Sequence, residues 1–298
     1  MRRLMALAVI AAWPARGELR VVSSIPVLGS LAKEVGGDRI RVDELARPTQ
    51  DPHYVDARPN LMVTLNRADL LLQVGLELEI GWLPPLVLGS RNPRIQPGAP
   101  GNLDCSQFIP PLDVPTARID RSMGDIHPLG NPHYWLPPDN AKHLARGIAR
   151  RLAQLDPEGT ATYEQRLQRF EARVAEKEAA WAPLVDKLRG TKVVTFHRSW
   201  THVSRWLGLV EVGYLEPKPG IPPDPAHLAR LIALMREKNV PLLIMEIFYT
   251  RQTAALVAEK AGARLLTLPT DVGAARGAED WFGLVEALLK AMAEPFRR

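Results

Sequence analysis

Cysteine is almost absent from this chain: Cys105 is the single one. No intrachain disulfide can form, and no thiolate zinc site can be assembled. Cys105 also lies far from the N-terminus, so no cysteine is placed for lipidation at a processed start. Apolar runs long enough to span a bilayer are missing as well. So are the HExxH helix of metalloproteases, the GxSxG elbow of serine hydrolases, and any histidine-rich tract. A metal site here would therefore rest on imidazole and carboxylate, and the chain has only seven histidines from which to build one.

What is present belongs to a globular protein: 298 residues, 46% hydrophobic and 24% charged, enough for two domains with cores of their own. Residues 1–17 have a basic start (Arg2, Arg3), an apolar run from Leu4 to Trp13 and a small-x-small site at Ala15-Arg16-Gly17. That layout predicts a cleavable secretory signal peptide and a periplasmic mature protein without stable membrane insertion. Cleavage removes three arginines and no acid, which lowers the net charge from +5 to +2. The high isoelectric point is thus no argument for nucleic acid.

From residue 18 short apolar runs alternate with helical patterns, the grammar of an α/β fold with parallel strands and crossover helices. LRVVSS reads as a strand. PVLGSLAKEVGG reads as a helix with Val27, Leu28, Leu31, Ala32 and Val35 on one face. RIRVDEL, the helix NLMVTLNRA and the strand DLLLQVG follow, and Pro84–Pro115 reads mostly as loop. The pattern restarts near residue 191 with TKVVTF, the helix SWTHVSRWLG and LVEVGYL. DPAHLARLIALMREKN follows as a helix with Asp224 as N-cap, then PLLIMEI, RQTAALVAEKAG, ARLLTL and a last helix near Glu279 to Ala293. Between these halves Tyr163, Leu167, Phe170, Val174, Trp181 and Leu184 mark the longest helical pattern, with Pro183 as a stop or kink. A coiled coil is the rival reading of that stretch. The expectation is two (β/α) lobes: residues 18–156, a linking helix at 157–189, and residues 190–298.

Open α/β sheets bind ligands beyond the carboxyl ends of their strands. Three histidines stand in such loops: His53 in TQDPHYVDARP, His133 in GNPHYWL and His197 directly after VVTF. They lie 80 and 64 positions apart, so a site made of them would close a cleft between the lobes rather than sit on one helix. Pro52 and Pro132 stiffen the two loops, and Tyr54, Tyr134 and Trp135 could wall the site from water. Asp271, after ARLLTL, is the first candidate for a fourth ligand and Glu246 the second. Either carboxylate could instead cap a helix, bind an arginine or orient a histidine. Asp56 or Asp125 could hold the far nitrogen of His133. His143 and His227 fall within helices, His202 could line the cleft, and His127 could be a spare metal-catching group near the mouth.

DPHYVDARP, GNPHYWLPPDN, VVTFHRSW, EPKPGIPPDPAHL and IMEIFYTRQTAALVAEKAGARLLTLP together resemble the zinc/manganese class (cluster A-I) of periplasmic solute-binding proteins that serve ABC importers. The likeness covers nearly all of the mature chain. It implies two α/β lobes joined by one long rigid helix, with the metal in the interlobe cleft. It also implies a monomer that hands its cargo to a membrane permease. By this resemblance His53, His133 and His197 fall on ligand positions, and a histidine at the third favours Zn2+ over Mn2+. The Asp-x-x-Gly pattern common at the fourth is one residue shorter here, Asp271-Val272-Gly273, which leaves Asp271, Glu246, water or a shifted loop to complete the shell. Two rival functions are a zinc-dependent hydrolase using Glu246 or Asp271 as general base, and a same-fold adhesin or binder of a metal chelate.

Overall fold

The computed structural model describes residues 18–116, 127–218 and 220–296; the expected signal peptide and Asp125 lie outside them. Its first sheet has four parallel strands: β1 (Leu19–Ser23), β2 (Ile40–Glu44), β3 (Leu70–Gln73) and β4 (Asn102–Asp104), in the order β2-β1-β3-β4. Helices α1 (Pro26–Gly36), α2 (Pro59–Asn66) and α3 (Leu83–Gly89) connect them. The second sheet repeats the plan with β5 (Lys192–Thr195), β6 (Val210–Tyr214), β7 (Leu242–Glu246) and β8 (Arg264–Leu268), in the order β6-β5-β7-β8. Its helices are α6 (Thr201–Leu207), α7 (Pro225–Glu237), α8 (Arg251–Ala261) and α9 (Trp281–Ala293). Between the sheets run α4 (Pro138–Leu155) and α5 (Thr160–Leu188).

Local chemistry explains the elements. Proline at the first turn of α1 gives up an amide that has no helical partner, and the helix buries Val27, Leu28, Leu31, Ala32 and Val35. Asp224 caps α7 by accepting from the His227 amide, and Asp280 caps α9 by accepting from that of Gly283. The proline-rich stretch from Pro84 to Pro115 is mostly loop, as expected, and also holds α3 and the three-residue β4, which is too short to show a period in sequence. One expectation needs correction. Pro183 does not stop the linking helix: α5 runs on to Leu188. Pro183 and Ala179 both lie on its exposed face, where water can satisfy the carbonyl that proline leaves unpaired.

At 29 residues α5 is about 43 Å long. It buries Tyr163, Phe170, Val174, Trp181 and Leu188. On one side it packs on α1 and α4, and on the other on α9. Arg173 reaches Glu34 of α1 at 3.4 Å and Asp280 before α9 at 3.2 Å, and Lys177 reaches Glu286 of α9 at 2.8 Å. One helix thus braces both lobes. Because all strands are parallel within each sheet, their carboxyl ends send their loops to one edge, and those loops carry the site.

Candidate metal centre

Four imidazoles meet between the lobes. The ring of His53 lies 5.1 Å from that of His133, 5.2 Å from His197 and 5.4 Å from His127, centroid to centroid, and His133 stands 5.4 Å from His197. The ligand nitrogens of His53, His127 and His133 all fall within 4.8 Å of one another, whereas His197 meets His53 and His133 by ring contact and stands outside that closest group.

Each ring is aimed by its loop. After β2, Asp51 Oδ1 accepts from both the backbone amide of His53 (3.0 Å) and its Nδ1 (2.8 Å), which turns Nε2 inward. The indole of Trp82 donates to the Pro52 carbonyl at 2.9 Å and pins that turn. His133 follows Gly130, whose φ of +119° suits glycine alone, and Asn131, which is stitched to both lobes. The Asn131 amide donates to Leu112 at 2.7 Å, its side chain donates to the Arg198 carbonyl at 2.8 Å, and its Oδ1 accepts from the His133 amide at 3.0 Å. The Tyr134 hydroxyl donates to the Val74 carbonyl. His133 Nε2 is buried and meets no hydrogen-bond partner. His197 follows β5, and its Nδ1 donates to Glu216 Oε2, just past β6, at 2.7 Å. The Gly220 amide holds that carboxylate at 3.1 Å.

Burial disfavours the charged form of three of these rings. Burial, reinforced by the neighbouring imidazoles, lowers His133 well below the usual range and His127 to about 3. Burial also lowers His197, against the opposing hydrogen bond from Glu216. Asp51 is pushed up by burial, yet hydrogen bonds and charge from His53 outweigh this and hold it below the carboxylate range. Neutral imidazoles with one nitrogen held by an acceptor and the other bare are what a borderline cation coordinates.

The carboxylates sort differently. Glu246, at the end of β7, lines the same pocket as His53, His133 and His197. Burial raises it to about 8, and it is bonded to the Ser199 hydroxyl. Asp271 is buried, but its Oδ1 takes the Val27 amide at 2.7 Å and the Val272 amide at 2.9 Å, so it caps α1 from the opposite lobe. Neither Asp271 nor His127 is among the residues lining the pocket of His53, His133 and His197. Asp56 does not support a histidine: it is exposed and paired with Arg58. The residues that do so, Asp51 and Glu216, escape a sequence reading. Asp51 sits two positions before its histidine, a signal that was available; Glu216 is 19 positions from His197 and met only through strand pairing. His202 is buried against Asn131, with Nε2 3.2 Å from its carbonyl, while His143 is exposed and His227 reaches the Tyr214 carbonyl at 3.0 Å.

Parallel sheets facing each other across a cleft, a single bracing helix and clustered imidazoles define a two-lobed solute-binding protein. The sequence pattern of the family described as ZnuA, zinc-uptake complex component A, periplasmic, matches residues 21–295, and the chain belongs to that family. It is 26% identical to the high-affinity zinc uptake system protein ZnuA of Paracoccus denitrificans, over 95% of this chain and 93% of that one. It is 24% identical to the iron-binding protein YfeA of Yersinia pestis, over 83% and 75% respectively. Among solved structures, a zinc-bound ZnuA lacking residues 138–173 superposes with a TM-score of 0.77 and 26% identity, covering 93% of this chain and 97% of that one. Among the described residues no helix is long and apolar enough to cross a membrane.

Proposed function

We propose that this chain captures a divalent transition metal, Zn2+ before Mn2+, between its lobes and delivers it to the membrane permease of an ABC importer. On this reading the mature protein is a periplasmic monomer released from a signal peptide at residues 1–17. Its lobes are residues 18–156 and 190–298, with 157–189 between them. His53, His133 and His197 are ligands, and Asp271, the carboxylate expected beside them, caps α1 through Oδ1.

The observation that carries this is the buried, partnerless Nε2 of His133 beside two rings whose other nitrogens are held by Asp51 and Glu216. A bare lone pair in a dry site costs roughly 1–3 kcal/mol, and a cation removes that cost. Imidazole donors favour zinc over manganese, which prefers carboxylate and water. The hydrolase reading is weaker. The chain carries neither an HExxH helix nor a nucleophile elbow to supply a placed base, and Asp271 Oδ1 already accepts from two amides.

Native mass spectrometry and calorimetric titration of the mature protein test the proposal. One zinc per chain is expected, bound more tightly than manganese. With about 10–16 kcal/mol of zinc binding spread over four ligands, His133→Ala should weaken affinity by ~10²-fold or more and leave the apo fold unchanged. Zinc binding that ignores His133, or none at all, would overturn it.

A further inference from the structure

We propose that His127 is a zinc ligand, so that the shell is closed by a fourth imidazole rather than by water or a carboxylate. This rests on the metal-binding reading above and concerns the composition of that same site.

The first observation is a distance. Nε2 of His127 lies 3.3 Å from Nε2 of His53. Zinc binds imidazole nitrogen at about 2.0–2.1 Å, and two ligands of a tetrahedral ion at that radius stand about 3.3–3.4 Å apart. The pair is already spaced as one edge of a zinc tetrahedron.

The second observation concerns protons. Asp51 takes the Nδ1 proton of His53. The His127 ring also lies against the backbone of Leu76. With its Nδ1 proton on Asp51, a neutral His53 ring turns a lone pair at Nε2 towards His127 Nε2. That lone pair takes either a proton from His127 or a cation held between the two rings. The aim of His127 is also a built feature. Leu76 and Glu77 adopt φ of +51° and +66°, a left-handed conformation that is strained for a residue with a side chain. That turn is held by Glu79, whose carboxylate accepts from the Val74 amide at 2.7 Å and the Gly75 amide at 3.1 Å. The same turn receives the Tyr134 hydroxyl at Val74, so one strained segment orients the loops of both His127 and His133.

The third observation is that the carboxylate expected at the fourth position gives one oxygen, Oδ1, to the amides of Val27 and Val272, which fixes it against α1, whereas His127 Nε2 already faces a ligand nitrogen. A set of four neutral imidazoles leaves the bound ion's full charge uncompensated by its ligands. Such a shell selects borderline ions such as Zn2+ and discriminates against Mn2+ more strongly than three imidazoles with a carboxylate would.

X-ray absorption at the zinc edge, run on the zinc-loaded wild-type protein and on His127→Ala, tests this, together with zinc affinity by chelator competition. The wild type should show four imidazole nitrogens, and His127→Ala three imidazoles and one oxygen with affinity lowered ~10²-fold. His127→Gln, which keeps the loop's bulk and polarity, should lose the same scatterer, while Asp271→Asn should leave four imidazoles in place. Three imidazoles and an oxygen in the wild type would overturn the assignment. So would unchanged affinity in His127→Ala, including the case in which only the rate of zinc capture slows. Those results leave the metal-binding reading standing if His133→Ala still abolishes tight binding; if His133→Ala also has no effect, both fall.

Discussion

The two sheets share one strand order, yet they are packed differently. In the first lobe both faces belong to a single core: Val21, Val22, Leu70, Leu71 and Leu72 join one apolar cluster that continues through α5 and α9. In the second lobe the faces part company. Val193, Leu242 and Ile244 point into that same large core, whereas Val194, Leu243 and Met245 form a separate, smaller one with α7 and α8. The same topology therefore yields an unbroken body made of the first lobe, the bracing helix and the inner half of the second lobe, with an outer layer attached. The imidazoles follow this division: His53, His127 and His133 arise from the unbroken side, and His197 is supported by Glu216, which follows a strand of the more loosely joined lobe. A long helix fixed to both lobes resists hinge rotation, so adjustment to the ion falls to loops.

The strongest way to break this comparison is at the joint. Trp281 is fully buried against Phe170 and Trp181 of α5, its indole donates to the Trp135 carbonyl at 3.0 Å, and its amide donates to Ser30 of α1 at 3.2 Å. Trp281→Ala should cost about 3–5 kcal/mol and lower protection from hydrogen exchange in both lobes. Met235→Ala, in the small outer core, should cost about 2–3 kcal/mol with the loss of protection confined to α7, α8 and neighbouring strands. Equal spreading of the two effects would show that the cores are not separate.

The supporting carboxylates sharpen the comparison further. Asp51→Asn and Glu216→Gln should each weaken zinc binding about 10–100-fold, readable by chelator competition. If the second lobe is the more adaptable partner, Glu216→Gln falls at the mild end and Asp51→Asn at the severe end. A smaller effect comes from Glu246. Because burial raises it to about 8, the folded state holds its proton over a range where the unfolded chain, with a carboxyl near 4.5, has released it. Its contribution to stability is thus intact below about pH 4.5 and is lost as pH rises towards 8. Glu246→Gln should melt above wild type in the metal-free state at pH 8, with the gap shrinking by pH 5; a gap independent of pH would contradict the assignment.

Much of this was legible in residues. Strands such as LRVVSS and PLLIMEI announce themselves by β-branched and aliphatic runs, and the carboxyl ends of those strands locate the loops of His53 and His197. What sequence could not show depends on meetings in space. Glu216 reaches His197 because β6 pairs with β5, Asp271 caps a helix 244 positions earlier, and β4 carries too few residues to display alternation. His127 lies in a loop that shares no period with anything, so only its meeting with His53 in space reveals where it points. Family resemblance directs attention to Asp271; the amides that occupy it belong to this fold's packing and leave no trace in the motif.

The claim beneath all of this is that one cation is held by imidazoles drawn from both lobes. Crystals of the zinc-loaded protein, measured on either side of the zinc absorption edge, address it directly. A single anomalous peak about 2.0–2.1 Å from ring nitrogens of His53, His127, His133 and His197 is the expected result. A peak at surface carboxylates, or one that leaves His197 out of reach, would contradict it.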